Sequence, residues 1–232
     1  MGDNTLVLAQ RLCEWCGHAP ALEEDIALAN TALDLIGQAQ LWLGLATERE
    51  GKGRTADTLA YHRDAWDFRN LLLVEQPNHD FAVTMIRQFL FDTWHLEMLK
   101  SLSAHDDAEI SAIAQKSVKE VTYHRERSTD TVIALGDGTE ESNKRMQGAL
   151  DRLFPYIGEM LHNDDCDLTD MAALRSAFDV HLSATLDDAM LTLPQSDFFH
   201  QGGKTGVRHT EHLGHMLATM QSLPRSYPDA KW

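Results

Sequence analysis

Asp92-Thr93-Trp94-His95 places a carboxylate and an imidazole three residues apart. On a helix, that spacing turns both side chains to one face. Glu120 and His124 make a second acid–imidazole pair at a spacing of four, and Glu159 and His162 a third at a spacing of three. Asn30, Asp34 and Gln38, spaced by four, form one polar line with Asp34 as its carboxylate. The chemistry within reach of such groups is metal chemistry. Helix bundles that hold two iron ions take a Glu from each of two helices and a Glu-x-x-His from each of two more. The carboxylates bridge the hard cations and the imidazoles cap them.

Asp34, Asp92, His95, Glu120 and His124 are therefore the candidate constellation, and it is incomplete. Glu120 falls roughly 100° from the centre of its helix's apolar stripe. Glu159 and His162 point away from Leu153 and Ile157 unless Pro155 bends the helix. One inward D-x-x-H, one inward Asp and one off-register pair do not make a two-metal site. The plainer expectation is a buried polar network in which Asp34 or Asp92 pairs with His95, His124, Lys116 or Arg87. A buried carboxylate without metal or partner would cost several kcal/mol. On this reading the chain has no catalytic, cofactor-binding or metal-ligating residue.

Other motifs carry less. Cys13-Glu14-Trp15-Cys16 is a C-x-x-C with no second copy, and His18 stands one residue too far for a haem attachment pattern. Small buried thiols are the expectation. His209, His212 and His215 recur every third residue beside Glu211, as a metal clip or as a helix edge packed on a neighbour. Gly202-Gly203-Lys204-Thr205-Gly206 lacks the spacing and the preceding strand of a phosphate loop.

The elements that would position these groups all read as helices, with no convincing β alternation. The spans are 5–15, 23–48, 55–73, 81–103, about 107–136, 140–162, 169–190 and 209–223, broken at Gly, Pro and Asp clusters. In the second, Leu22, Ile26, Ala29, Leu33, Ile36, Gln40 and Leu43 make one stripe, and Leu28, Leu35 and Trp42 make another. A helix apolar on two sides is expected to sit centrally. The fourth, fifth and sixth spans carry one stripe each. Long amphipathic helices with short breaks predict an all-α four-helix bundle with additional flanking helices. Trp42, Trp66, Phe68, Tyr156, Phe198 and Phe199 are candidates for an interface or the core.

Composition sets the boundaries. Acidic residues outnumber basic ones 36 to 20 over 232 residues, a net charge of −16. That excludes a phosphate-neutralising surface for nucleic acid and argues against binding anionic membranes. Many acids cluster at expected helix starts, among them Glu23, Glu24, Asp25, Asp80, Asp107, Glu140, Asp164, Asp165, Asp167 and Asp170, where they cap or oppose the helix dipole. No signal peptide or apolar run of about 18 residues is visible. Three cysteines fit a reducing cytoplasm.

Longer blocks carry a resemblance. Glu14-Trp15-Cys16-Gly17-His18-Ala19-Pro20, Leu22-Glu23-Glu24-Asp25-Ile26-Ala27-Leu28-Ala29-Asn30 and Leu33-Asp34-Leu35-Ile36-Gly37-Gln38-Ala39 resemble the C-type components (PaaC) of bacterial phenylacetyl-CoA ring 1,2-epoxidases. So do Asn70-Leu71-Leu72-Leu73-Val74-Glu75-Gln76-Pro77-Asn78 and His209-Thr210-Glu211-His212-Leu213-Gly214. The resemblance implies one ferritin-like helical domain over residues 1–232. It also implies a structural, non-catalytic role beside a sister subunit (PaaA type) that holds the di-iron centre, with no cofactor in this chain. A small bridging subunit and an NAD(P)H-dependent reductase would complete the monooxygenase system of aerobic phenylacetate degradation. Without its partner, the chain could form homodimers through exposed apolar surface. The alternative is a self-sufficient di-iron oxidase or oxygenase using Asp34, Asp92, His95, Glu120 and His124. A helical scaffold with no enzyme partner is the third reading.

Overall fold

The computed structural model describes residues 1–163, 169–228 and 230. Asp164, Asp165 and Asp167 lie outside them. Among the described residues there are ten α-helices and no strand, so the fold is all-α and consistent with a ferritin-like helical bundle. In chain order the helices are α1 (Gly2–Cys13), α2 (Leu22–Glu50), α3 (Ala56–Tyr61), α4 (Leu72–Glu75), α5 (Phe81–Leu102), α6 (Ala108–Gly136), α7 (Glu140–Leu153), α8 (Met171–Asp188), α9 (Glu211–Met220) and α10 (Ser222–Ser226). The chain divides into two compact units, Met1–Pro77 with Gly202–Trp232, and Asn78–Gln201.

In the first unit α1 and α2 pack as a helical hairpin. Leu28, Leu35 and Trp42, with Ala32, Ala39 and Leu43, form the buried face of α2. Gly2 lets α1 approach closely, since a Cβ there would stand 2.8 Å from a Leu43 methyl. The other expected stripe is core only at Leu43. Leu22 is 71% exposed, Ile26 53%, Leu33 65% and Ile36 36%. Helical periodicity records that a face is apolar, and the rest of the chain decides whether anything covers it.

The single helix expected over 55–73 is broken. Residues 56–61 are α3, a 3₁₀ turn spans Ala65–Asp67, and α4 follows. Distant partners override local propensity here. Asp3 on α1 accepts from the Arg69 backbone at 2.8 Å and pairs with Arg63. Asn4 Oδ1 accepts from the Leu71 backbone at 2.7 Å. These bonds hold the stretch between the turn and α4 extended.

In the second unit α5 packs on α6, α7 and α8. Every residue from 82 to 96 is buried, the polar ones included, because α5 is packed on by three helices. Asp80 caps it by accepting from the Val83 N–H at 2.9 Å; Asp107 and Asp170 cap α6 and α8 in the same way. The helix expected over 140–162 stops at Leu153, where Pro155 cannot continue the backbone ladder. The chain goes on through 3₁₀ turns at Phe154–Tyr156 and Gly158–Met160. The Trp94 indole N–H anchors this segment by donating to the Met160 carbonyl at 2.9 Å. As a result Glu159 is buried and His162 exposed, and the two share no helix face.

Candidate functional site

The polar core of the second unit is built on α5 and α6. Their buried faces bring Asp92 and His95 together with His124 and Ser128 in the interior. Asp92 is fully buried, and both its oxygens are taken by neutral donors. Gln88 Nε2 donates to Oδ1 at 2.7 Å, and the Ser128 hydroxyl donates to Oδ2 at 2.9 Å. Burial pushes the carboxyl up from its ordinary 3.8 to about 6; His124, the two hydrogen bonds and Arg127 oppose this only in part. Serine and glutamine, rather than lysine, hold the carboxyl, and Lys116 is exposed. Arg87 donates to Asn78 Oδ1 at 2.6 Å.

His95 is fully buried, and neither ring nitrogen has a hydrogen-bond partner. Its ring lies against Phe91 at 4.9 Å between centroids and stacks near Trp94 at 6.3 Å. Burial, with His124 adding to it, holds its pKa well below the usual value, so the ring is neutral. His124 is buried and interacts electrostatically with Asp92. Glu120 is half-buried on α6. Asp34 lies on α2 of the first unit and is half-buried, between an exposed Asn30 and a buried Gln38. Among the described residues no three His, Cys, Asp or Glu side chains are grouped to hold a metal ion. Among the described residues these side chains do not bring together the four carboxylates and two imidazoles of a two-iron site. The one acid in the buried core of α5 and α6 has both oxygens occupied by protein donors, and its D-x-x-H imidazole sits among aromatic rings.

A second polar network, in the first unit, was not visible as a site in the sequence. Glu75 is fully buried and accepts four bonds: from Asn70 Nδ2 at 2.9 Å, His209 Nδ1 at 2.6 Å, the Thr210 backbone at 2.7 Å and the Thr210 hydroxyl at 2.6 Å. His209 Nε2 faces the Phe68 carbonyl at 3.2 Å, so both ring nitrogens face oxygen atoms. Arg11 donates to the Glu75 carbonyl from Nη2 at 2.6 Å and pairs with Glu14 at 2.8 Å. His209 is thus committed to Glu75, and among the described residues His209, His212 and His215 are not grouped to hold a metal ion. Residues 70–78 and 209–214, two of the blocks that carry the family resemblance, meet here. Their likeness was the one signal in the sequence that pointed to this network.

The family model for phenylacetic acid catabolic proteins matches residues 1–232. The chain is also 45% identical over 240 aligned positions to the C component of the 1,2-phenylacetyl-CoA epoxidase of Escherichia coli (strain K12), covering 100% of this chain and 96% of that protein. This chain belongs to the phenylacetic acid catabolic protein family.

A cavity of about 560 Å³ in the second unit is lined by Phe154, Leu161, Leu182 and Phe199, with the Arg175–Asp179 pair among its polar residues, and none of the five candidate residues reaches it. Cys13 and Cys16 are exposed rather than buried, because the end of α1 runs out into an open turn. Of the aromatic candidates, Trp42 and Phe68 are core residues, while Trp66 and Phe198 are 65% and 59% exposed. No helix among the described residues is long and apolar enough to cross a membrane.

Proposed function

We propose that this chain is the C-type component of a phenylacetyl-CoA epoxidase, a structural and non-catalytic partner of a di-iron sister subunit. The full-length identity to the C component of such an enzyme supports its membership of the complex. The observation that carries the non-catalytic part is the state of Asp92. A carboxyl already held by Gln88 and Ser128, with no further pair of His, Cys, Asp or Glu side chains grouped with it among the described residues, is a poor start for a two-metal site. The di-iron centre belongs to the sister subunit, which this chain holds in place. A small bridging subunit and an NAD(P)H-dependent reductase complete the cytoplasmic system.

The exposed stripe Leu22, Ile26, Leu33 and Ile36 on α2 is the docking face for the sister subunit. Removing these partly exposed aliphatic side chains from water favours association. The test is co-expression with the sister subunit, pull-down, iron analysis and turnover of phenylacetyl-CoA with and without this chain. Leu33→Asp with Ile36→Asp is expected to abolish co-purification while leaving the isolated chain folded. Stoichiometric iron in the isolated chain, lost on Asp92→Ala, would overturn the non-catalytic reading.

A further inference from the structure

The end of α1 carries two thiols that neither polar network uses. Cys13 is the last residue of α1, and Cys16 lies in the turn that follows. The Cys16 N–H donates to the Cys13 carbonyl at 3.1 Å, closing one turn between them. Residues at the two ends of such a turn have α-carbons within about 7 Å, and a disulfide needs about 4.4–6.8 Å. Both thiols are free and exposed, so small oxidants reach them. Partial burial of its sulfur, then Cys16 and Glu14, push the Cys13 thiol up.

We propose that Cys13 and Cys16 form a reversible dithiol–disulfide pair, a modification site oxidised by low-molecular-weight disulfides. One cysteine thiolate attacks a sulfur of oxidised glutathione, giving a mixed disulfide and one glutathione thiolate. The second thiolate attacks the cysteine sulfur of that mixed disulfide and expels the second glutathione. The two protein thiols lose two protons and two electrons in all, and the glutathione disulfide gains them. The closed bridge fixes the terminus of α1, from which Arg11 reaches the Glu75 carbonyl. This inference is independent of the proposed epoxidase role.

The test equilibrates the reduced full-length chain with mixtures of reduced and oxidised glutathione, followed by acid quench, alkylation and tryptic mapping. Cleavage after Arg11 and Arg49 puts both cysteines on one peptide and leaves Cys166 on another. The expected product is peptide 12–49 without alkyl groups, lighter by two hydrogen atoms and restored by dithiothreitol. Cys13→Ser and Cys16→Ser are each expected to leave a single thiol that stays free or carries one glutathione. Peptide 12–49 that stays fully alkylated, carries two glutathiones, or is joined to the Cys166 peptide or to a second copy would overturn the proposal.

Discussion

Replacing Asp92 by Asn is expected to stabilise the protein at neutral pH. The wild-type carboxyl is raised from 3.8 to about 6 in the folded chain, chiefly by burial. At about 1.4 kcal/mol per pH unit, this rise makes the ionised side chain a burden of about 3 kcal/mol on folding. The sign follows from linkage: a folded value above the unfolded one gives stability that is complete below about pH 4 and is lost as pH rises through about 6. The amide can enter the same network. Its Oδ1 accepts from Gln88 as the carboxyl does. Its Nδ2 donates to Ser128 Oγ, whose hydroxyl proton turns to the Arg125 carbonyl, already 3.2 Å away. Urea unfolding of both proteins at about pH 4.5 and about pH 8 reads the difference. The variant's advantage is expected to grow from about 1 kcal/mol to about 3 kcal/mol between them. Asp92→Ala leaves the Gln88 and Ser128 donors facing a cavity and serves as the control, losing about 1–3 kcal/mol relative to Asn at either pH. An Asn variant less stable than wild type by the same margin at both pH values would refute the reasoning, because the carboxyl would then be a net contributor.

Glu75→Gln is expected to act in the opposite direction, with a loss of about 3 kcal/mol in urea unfolding: the amide NH₂ faces the backbone N–H or hydroxyl of Thr210 or the ring of His209, and a charged-acceptor bond is lost. His209→Ala leaves the buried Glu75 without one of its donors and is expected to cost about 3–5 kcal/mol by the same measurement, the usual cost of breaking a buried pair. Asp80→Ala removes the cap of α5 and should cost about 1 kcal/mol by thermal or urea unfolding. Gly158→Ala places a Cβ 2.4 Å from the Phe199 Cβ; the resulting displacement is expected to cost about 1–3 kcal/mol and to perturb near-ultraviolet circular dichroism.

The long helices were legible because their information is local. Asp80 and Asp107 cap the helices they precede, and the ends of α5 and α6 fall within a residue or two of the expected limits. The break after Tyr61 was not legible, because its cause lies in Asp3 and Asn4, whose partners stand 60 and 67 residues further on. The limit of α7 was half legible: Pro155 announced a bend, and the structure resolves it as 3₁₀ turns that bury Glu159. On α2 both apolar stripes were read from their spacing. Which one is covered depends on α1, whose Gly2 approaches Trp42 and Leu43 and leaves Ile26 and Leu33 exposed.

The polar networks were the least legible, for a reason visible in the two carboxyls themselves. Asp92 drew attention because His95 follows it at ligand spacing, yet its hydrogen-bond partners are a glutamine one turn back and a serine on another helix. Glu75 drew none, since its donors come from Asn70, nearby in sequence, and from His209 and Thr210, more than 130 residues on. The donors also differ in what they permit. A serine hydroxyl can reverse its direction and accept an amide proton, so the Asp92 site tolerates a neutral side chain. The Thr210 backbone N–H cannot reverse, so the Glu75 site requires an acceptor at that point. A carboxyl between reversible neutral donors can change its proton at modest cost and needs no metal to remain buried. A carboxyl faced by a fixed N–H and an imidazole is a structural clamp. Residue type and helical spacing identify neither case, because the distinction lies in the partners' hydrogens, and the fold alone brings those partners together.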